Sequence, residues 1–149
     1  LVEGRRLILG GVDIPFAKGL EGHSDGDVLL HAICDALLGA IGEGDIGVHF
    51  PNTDERFKGI SSIKLLEDVV RLVRKKGFEV GNIDAVLAAE EPKILPFKDA
   101  MMGAITKAAG IEKSQVSIKA TTNEGLGAIG RGEGMAAYAV ASVTNAKGI

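Results

Sequence analysis

The sequence lacks the features that mark several special classes of protein. It has no tryptophan, only 4% aromatic residues and one cysteine, Cys34, which excludes an internal disulfide framework and favours a reducing compartment. No apolar run approaches the ~20 residues that cross a bilayer, and no charged-then-apolar leader opens the sequence. Basic residues (17) do not exceed acidic ones (20), so charge gives no support to a nucleic-acid partner. The cytoplasm or an organelle stroma is therefore the expected location.

The sequence is rich in apolar residues and in glycine. With 149 residues, 46% of them hydrophobic, the chain is expected to form one domain over 1–149 with a core of Val, Ile, Leu and Ala. Its 21 glycines fall in clusters, which indicates tight turns and close backbone approach. A small core with many turns also suggests that some apolar surface is buried between subunits.

The periodicity of apolar residues predicts an α+β domain. A strand, a glycine turn and a returning strand are expected over 6–14, and a helix over 25–41 with Ser24 or Asp25 as its cap. A long polar loop covers 45–59, and loops of this length are often functional. The remaining predictions are a helix over 62–76 ended by Gly77, a strand over 78–89, a helix opened by Pro96 and closed by Gly110, a strand over 116–120 and a buried closing strand over 135–143.

Polar residues on the first predicted helix are candidates for a site. Asp27, His31 and Asp35 are four residues apart and so share one helix face. They could form a metal or phosphate site in which a carboxylate orients the His31 imidazole. They could equally be two solvated aspartates and a half-buried histidine. His23 and Ser24 precede the helix, near the positive end of its dipole, where anions bind.

A glycine-rich turn follows a predicted strand near the carboxyl end. Segment 119–127 (KATTNEGLG) combines hydroxyls, backbone amides and the Glu124 carboxylate, a set that can hold phosphate oxygens with Mg²⁺ or Mn²⁺. Alternatively, its threonines and asparagine only cap backbone groups. The segment 90–96, which contains two prolines, also has two interpretations. It is either a plain connection between a strand and a helix or a rigid backbone edge that binds a flat base.

Three further side chains carry weaker functional signals. Arg131 is flanked by glycines. Its guanidinium is either simply exposed to solvent or makes a forked pair of hydrogen bonds with an anion or with Glu133. Cys34 lies among apolar helix positions, which predicts a buried, inert thiol. His49, in the polar loop, is a candidate for substrate contact.

The short motifs of this sequence, taken in chain order, resemble those of a known family. They are LGGV at 9–12, GHSDGDV at 22–28, HA at 31–32, DALLGA at 35–40, GDIG at 44–47, FP at 50–51, PK at 92–93, KATT at 119–122 and GRGEG at 130–134. This series resembles the cyclodiphosphate synthase family of the non-mevalonate isoprenoid pathway over nearly the whole chain.

The resemblance implies an architecture and a reaction. The fold would be a mixed β-sheet packed against helices, and three chains would place their sheets around a threefold axis as a homotrimer with active sites between neighbours. The reaction would be a lyase step that cyclises 4-diphosphocytidyl-2-C-methyl-D-erythritol 2-phosphate to 2-C-methyl-D-erythritol 2,4-cyclodiphosphate with release of CMP. Zn²⁺ and Mg²⁺ or Mn²⁺ would assist, in a bacterial cytoplasm or a plastid stroma.

The resemblance assigns one group of residues to the phosphate and sugar end of the substrate. His23 and Ser24 would hold the phosphate and the methylerythritol part, with His23 counted as catalytic. Asp45 and Gly47 would line the erythritol pocket. His31 would be a zinc ligand.

The resemblance assigns a second group of residues to the diphosphate, to the threefold axis and to a cytidine pocket contributed by the neighbouring subunit. Thr122 would contact and polarise the diphosphate, and Glu124 would bind the Mg²⁺ or Mn²⁺ ion, both as catalytic residues. Arg131 would face a cavity on the threefold axis that can hold isoprenoid diphosphates. The expected cytidine pocket consists of Pro92, Lys93, Ile94, Leu95 and Thr121.

The sequence departs from this family in ways that matter for function. Family members begin with a strand ending in Asp-x-His, which supplies two of the three protein ligands of zinc, and the sequence as given starts after that place. We therefore expect an incomplete zinc site, poor zinc binding and little turnover from the 149 residues alone. The turn has Asn123 and Gly125 around Glu124 where Thr-Glu-Lys is common, so a basic contact is lost.

Two other functions compete with the synthase. One is a non-catalytic trimeric module that binds isoprenoid diphosphates through Arg131. The other is a zinc hydrolase, which is weaker because no general base is spaced against His31 in a hydrolase pattern.

Overall fold

The computed structural model describes residues 1–146, and the last three residues of the predicted domain lie outside this range. The strands are β1 (Val2–Glu3), β2 (Leu7–Leu9), β3 (Val12–Ile14), β4 (Lys18–Gly19), β5 (Phe78–Ala88), β6 (Val116–Thr121) and β7 (Ala136–Asn145). The helices are α1 (Val28–Ala40), α2 (Ile46–His49), α3 (Ser62–Lys75), α4 (Lys98–Ala109) and α5 (Gly127–Gly130). Short 3₁₀ turns cover Glu55–Phe57, Leu95–Phe97 and Lys113–Gln115.

The main sheet is three-stranded and mixed, as predicted for an α+β fold. Its order is β6-β5-β7, with β5 parallel to β6 and antiparallel to β7. A parallel pair needs a crossover connection, which α4 supplies between β5 and β6. Two small antiparallel ribbons, β1 with β4 and β2 with β3, complete the strands of residues 1–146.

The β2–β3 ribbon turns through Gly10 and Gly11, which confirms the predicted strand–turn–strand. Both residues have positive φ, 59° and 78°. Two-residue hairpin turns of this kind need φ > 0 at both central positions, so glycine is favoured at each. The turn brings the backbone amides of Gly10 and Gly11 to the start of α1.

The core lies between the sheet and the helices. Helix α1 packs against β7, β5 and α3, and α3 packs against α4. Leu29, Ile33 and Leu37 of the predicted first helix are fully buried, and so is Cys34, as expected. The largest fully buried side chains are Leu7, Leu9, Ile14, Leu29, Leu30, Ile33, Leu37, Leu38, Leu66, Ile83, Leu87 and Met101.

The closing strand differs from its prediction, because β7 is buried on one side only. Ala137, Ala139 and Ala141 pack against the core, whereas Tyr138 is 68% exposed and Val140 is 74% exposed. Small apolar residues on both faces predicted a strand covered on both sides, but helices of this chain cover only one face of the sheet. The other face carries Tyr138 and Val140 beside the ion pair of Lys119 with Asp84.

Several element boundaries also differ from the predictions. The predicted loop over 45–59 contains α2 and a 3₁₀ turn, whose lengths of four and three residues are too short to give a periodic signal. Asp45 and Asp54 cap these elements by accepting bonds from the amides of Val48 and Arg56. Helix α4 begins after the 3₁₀ turn that contains Pro96, rather than at the proline itself. Within residues 1–146, no helix has both the length and the apolar character that a membrane crossing requires.

Candidate functional site

A cavity of about 850 Å³ opens beside the start of α1. It lies between the segment that leads into α1 and the segment that contains α2, so the GHSDGDV and GDIG motifs face the same space. The candidate residues that line it are His23, Ser24, Asp27, His31, Asp35, Asp45 and Gly47. It is also lined by residues that were not predicted for this site, among them Phe50, Pro51, Asn52, Thr53, Phe57 and Met135. The signal that could have found most of them is the length of the polar loop.

The segment that carries His23 is held against the loop before α3. The carbonyl of His23 accepts from the amide of Gly59 (2.9 Å), and the amide of Asp25 donates to the carbonyl of Ile60 (3.2 Å). The Asp25 carboxylate accepts from the amide and the hydroxyl of Ser62 (2.8 and 2.5 Å) and so caps α3. These bonds fix the backbone on which His23 and Ser24 stand.

The His23 ring has one nitrogen engaged and one left for a ligand. Nε2 lies 3.2 Å from the carbonyl oxygen of Asp54. A carbonyl only accepts, so Nε2 carries the hydrogen of this bond. Nδ1 is then the nitrogen that can act toward a group in the cavity.

His31 and Asp35 share a face of α1, as their spacing predicted. Nε2 of His31 lies 3.3 Å from a carboxylate oxygen of Asp35, with 57% and 38% of the two side chains exposed. The other oxygen of Asp35 accepts from the amide of Ile46 (2.8 Å). Asp35 therefore orients the imidazole and ties it to the start of α2.

Asp27 lines the same cavity as His31 and Asp35, but it lies at the cap of α1, where its carboxylate is turned to the backbone. It caps α1, in place of the predicted Ser24 or Asp25, and it is 2% exposed. Its carboxylate accepts from the amides of Leu30 (3.0 Å), Gly10 (3.0 Å) and Gly11 (2.7 Å). Burial raises the pKa of Asp27 to about 7, against the effect of these three bonds. Its role is structural, because all of its bonds go to the backbone of α1 and of the hairpin.

The described residues do not complete a zinc site. Among residues 1–146, no three His, Cys, Asp or Glu side chains are arranged to hold a metal ion. Catalytic zinc normally has three protein ligands and one open position. His31 with Asp35 falls short of that set.

A second cavity, of about 220 Å³, lies at the end of the main sheet. β5 and β6 are parallel neighbours, so their carboxyl ends meet there, and the amide of Ala89 donates to the carbonyl of Thr121 (3.0 Å). This pairing brings the two-proline segment next to the glycine-rich turn. The predicted residues that line this cavity are Pro92, Lys93, Ile94, Leu95, Thr121 and Thr122.

The turn beside the second cavity holds an exposed carboxylate. Glu124 has φ +52°, a left-handed conformation that non-glycine residues rarely adopt. Its amide donates to the hydroxyl of Thr122 (3.2 Å), and the preceding amide, of Asn123, donates to the Glu90 carboxylate (2.6 Å). The capping interpretation is therefore correct for Thr122, and Glu90 is a turn anchor that the sequence did not reveal. Backbone strain of this kind is typical of functional sites.

Arg131 and His49 line neither of these two cavities. The Arg131 guanidinium forms the fork with Glu133 that was one of its predicted alternatives, at 2.7 and 3.3 Å. This pairing raises the pKa of Arg131 and lowers that of Glu133. Nε2 of His49 lies 2.7 Å from the carbonyl oxygen of Glu43, so the ring holds the backbone rather than facing the cavity.

Comparison with known proteins gives consistent matches along the chain. A family model described as the YgbB family matches residues 1–144. The chain is 60% identical over 141 residues, 95% of this chain and 91% of the relative, to the 2-C-methyl-D-erythritol 2,4-cyclodiphosphate synthase of Desulfatibacillum aliphaticivorans. It is also similar to the bifunctional IspDF from Campylobacter jejuni (TM-score 0.92, 45% identity), covering 97% of this chain and 39% of that one. The Plasmodium falciparum IspF CDP complex matches with TM-score 0.84 and 34% identity, over 97% of this chain and 87% of that one.

Proposed function

Since the chain belongs to the YgbB family, we propose that it cyclises 4-diphosphocytidyl-2-C-methyl-D-erythritol 2-phosphate to 2-C-methyl-D-erythritol 2,4-cyclodiphosphate and releases CMP. The observation that carries the proposal is the division of the family motifs between two cavities. One has groups suited to a phosphate and a polyol, and the other has a rigid backbone edge suited to a base. A substrate with a phosphate at one end and a cytidine diphosphate at the other needs both.

The reaction needs no protein nucleophile. An oxygen of the 2-phosphate attacks the β-phosphorus and forms the new P–O bond. The bond from that phosphorus to the oxygen bridging to the α-phosphate breaks, and CMP leaves with the electron pair. The protein therefore accelerates the step by holding the two ends together and by neutralising charge.

In the first cavity, His23 and Ser24 bind the 2-phosphate and the methylerythritol part. The Ser24 hydroxyl donates to a phosphate oxygen, whereas Nδ1 of His23 is an acceptor and pairs with a hydroxyl of the methylerythritol part or with a protonated phosphate oxygen. Asp45 and Gly47 line the polyol side of the same cavity. A carboxylate accepts from sugar hydroxyls, and a glycine leaves room beside it.

In the second cavity, residues 92–95 and Thr121 bind the cytidine, and Thr122 contacts the diphosphate. Glu124 fits a hard cation, because Mg²⁺ is usually bound by one or two carboxylates together with substrate phosphates. Mg²⁺ or Mn²⁺ held there would offset the negative charge of the diphosphate. The exposed position of the Glu124 carboxylate leaves it accessible to such an ion.

We also propose that zinc uses His31 as one ligand, with its other protein ligands outside the described residues. Residues 1–146 do not fit zinc by themselves, so no step of the reaction is assigned to it. Asp35 orients the imidazole for this role.

The active site is shared between copies of the chain in a homotrimer. The two cavities have no lining residue in common. The uncovered sheet face, with Tyr138 and Val140, offers apolar side chains that three chains can bury around a threefold axis. Arg131 then faces the axis. The bacterial relative favours a bacterial cytoplasm over a plastid stroma.

The reaction is tested with the full-length protein and the cytidine substrate, followed by ³¹P NMR. We expect one CMP released for each cyclic diphosphate formed, because the step is an intramolecular transfer without water. Inorganic phosphate as the product, or no turnover, would contradict the proposal. The competing binding module is disfavoured by 60% identity to a named synthase and by the engagement of Arg131 with Glu133.

A mixing experiment tests whether the site is shared. The variants His23→Ala and Glu124→Gln damage different parts of the proposed site, the first cavity and the turn beside the second, so each alone should turn over little substrate. Co-expressed at equal levels, they should recover about a quarter of the unmutated activity, since about one neighbour pair in four combines an intact His23 with an intact Glu124. A mixture as inactive as its parents would mean that one chain supplies both halves of the site.

A further inference from the structure

Arg5 makes an unusual set of contacts beside the first cavity. Its Nη2 donates to two backbone carbonyls, those of Gly22 (3.1 Å) and Ser24 (2.8 Å). These carbonyls flank His23 on either side. Among the ion pairs of residues 1–146, none involves Arg5, so its charge is directed at the backbone of the GHSDGDV segment rather than at a carboxylate.

This bridge opposes a repulsion that the local backbone creates. Two carbonyl oxygens within reach of one nitrogen lie close together, and their partial negative charges repel each other. A guanidinium between them offsets that repulsion and makes charge-assisted hydrogen bonds, which are stronger than neutral ones. Without Arg5, the carbonyls of Gly22 and Ser24 would move apart and turn the peptide planes on both sides of His23.

The bridge completes a frame around His23 and Ser24. The amide of Gly59 holds the His23 carbonyl, and the amide of Asp25 is held by Ile60. Those two bonds come from the loop before α3, whereas Arg5 comes from the segment between β1 and β2. The segment is therefore fixed by two parts of the chain that are far apart in sequence.

We propose that Arg5 is a positioning residue for His23 and Ser24. It holds their backbone in the arrangement that receives the substrate phosphate, without itself lining the cavity. The expected effect of Arg5 on catalysis rests on the proposed function. Its structural part, the bracing of the segment, is independent of which reaction the site performs.

The test compares Arg5→Gln with Arg6→Gln in the full-length protein. The two substitutions remove the same charge from adjacent positions, but Arg6 pairs with Asp13 on the surface with 75% of its side chain exposed. Three quantities are measured: hydrogen exchange at the Gly59 and Asp25 amides, kcat and KM for cyclisation, and CMP affinity at the second cavity. The first reports on the segment without requiring activity.

For Arg5→Gln we expect the Gly59 and Asp25 amides to exchange about tenfold faster, and kcat to fall roughly 10- to 100-fold, the order of effect that small misplacements cause. CMP affinity should stay within about twofold, because the second cavity is separate. Arg5→Lys, which keeps a cation with several donors, should recover part of kcat. Arg6→Gln should resemble the unmutated protein throughout.

Unchanged amide exchange in Arg5→Gln would overturn the proposal, and so would faster exchange with unchanged kcat. Equal effects from Arg5→Gln and Arg6→Gln would mean that only the net charge matters. That result would also overturn the proposal. If the unmutated protein did not cyclise the substrate, the proposed function would fail. The exchange comparison would then decide by itself whether Arg5 braces the segment.

Discussion

Replacement of Glu124 by glutamine in the full-length protein is expected to lower kcat by roughly 100-fold or more, the size of effect seen when one preorganised electrostatic group is removed. CMP affinity should change only a few-fold. The proposed cation offsets charge that shifts during transfer between phosphates, whereas the proposed CMP site consists mainly of residues 92–95 and Thr121 in the second cavity. The substitution keeps the length and shape of the side chain, so it removes charge and little else.

Glu90 offers a matched control for this experiment. Glu90→Gln removes a carboxylate that lines the second cavity and anchors the turn of Glu124, but the amide oxygen of glutamine can still accept the bond from Asn123. Its kcat should therefore remain within a few-fold of the unmutated value. The measurements are steady-state cyclisation across Mg²⁺ and Mn²⁺ concentrations, and CMP binding by calorimetry. Equal losses of kcat and of CMP affinity in Glu124→Gln would contradict the assigned role.

Long elements with a clear periodicity were predictable from the sequence. The predicted helices over 25–41 and 62–76, and the strand over 78–89, correspond to α1, α3 and β5 within a few residues. These elements show enough apolar positions to reveal a period. The α2 helix was missed because four residues hold about one turn, and its formation depends on the Asp45 cap rather than on a pattern.

Burial was less predictable than secondary structure. Apolar and small residues along β7 predicted a strand covered on both faces, yet Tyr138 and Val140 are exposed in the single chain. The residue types show that a strand is apolar. They do not show whether the same chain or another copy of it buries that strand. The small core and its many turns suggested that part of the apolar surface lies between subunits, and this stays a prediction.

The candidate site was predictable in its members and less so in their roles. Motif order placed His23, Ser24 and Asp45 in one cavity, which the structure brings together. Helical spacing grouped Asp27 with His31 and Asp35, and all three line the first cavity, but spacing did not reveal that Asp27 is the cap of α1. Spacing of four residues fixes a face only within the helix, and Asp27 lies at the boundary, where its side chain turns back to the backbone.

Removal of the Asp27 carboxylate should be the most destabilising single change considered for this chain. In Asp27→Ala, α1 loses its cap, which typically costs about 1 kcal/mol. The amides of Gly10 and Gly11 lose their acceptor, and an unsatisfied buried donor costs roughly 1–3 kcal/mol. Gly10 is buried and Gly11 is partly buried, so a total of about 3 kcal/mol is expected from these effects. For a domain of this size that corresponds to a fall in Tm of about 6–12 °C.

The comparison variant is Asp13→Ala, which removes a carboxylate from the same hairpin. Asp13 pairs with Arg6 on the surface, and exposed pairs contribute about 0–1 kcal/mol. Asp27→Asn should fall between the two, because its oxygen can still accept while its amide group places a donor against a backbone N–H. Urea unfolding should be measured at one protein concentration, since association of subunits adds to apparent stability. If Asp27→Ala were no less stable than Asp13→Ala, Asp27 could not be what joins the glycine hairpin to the helix that carries His31, and the first cavity would need another support.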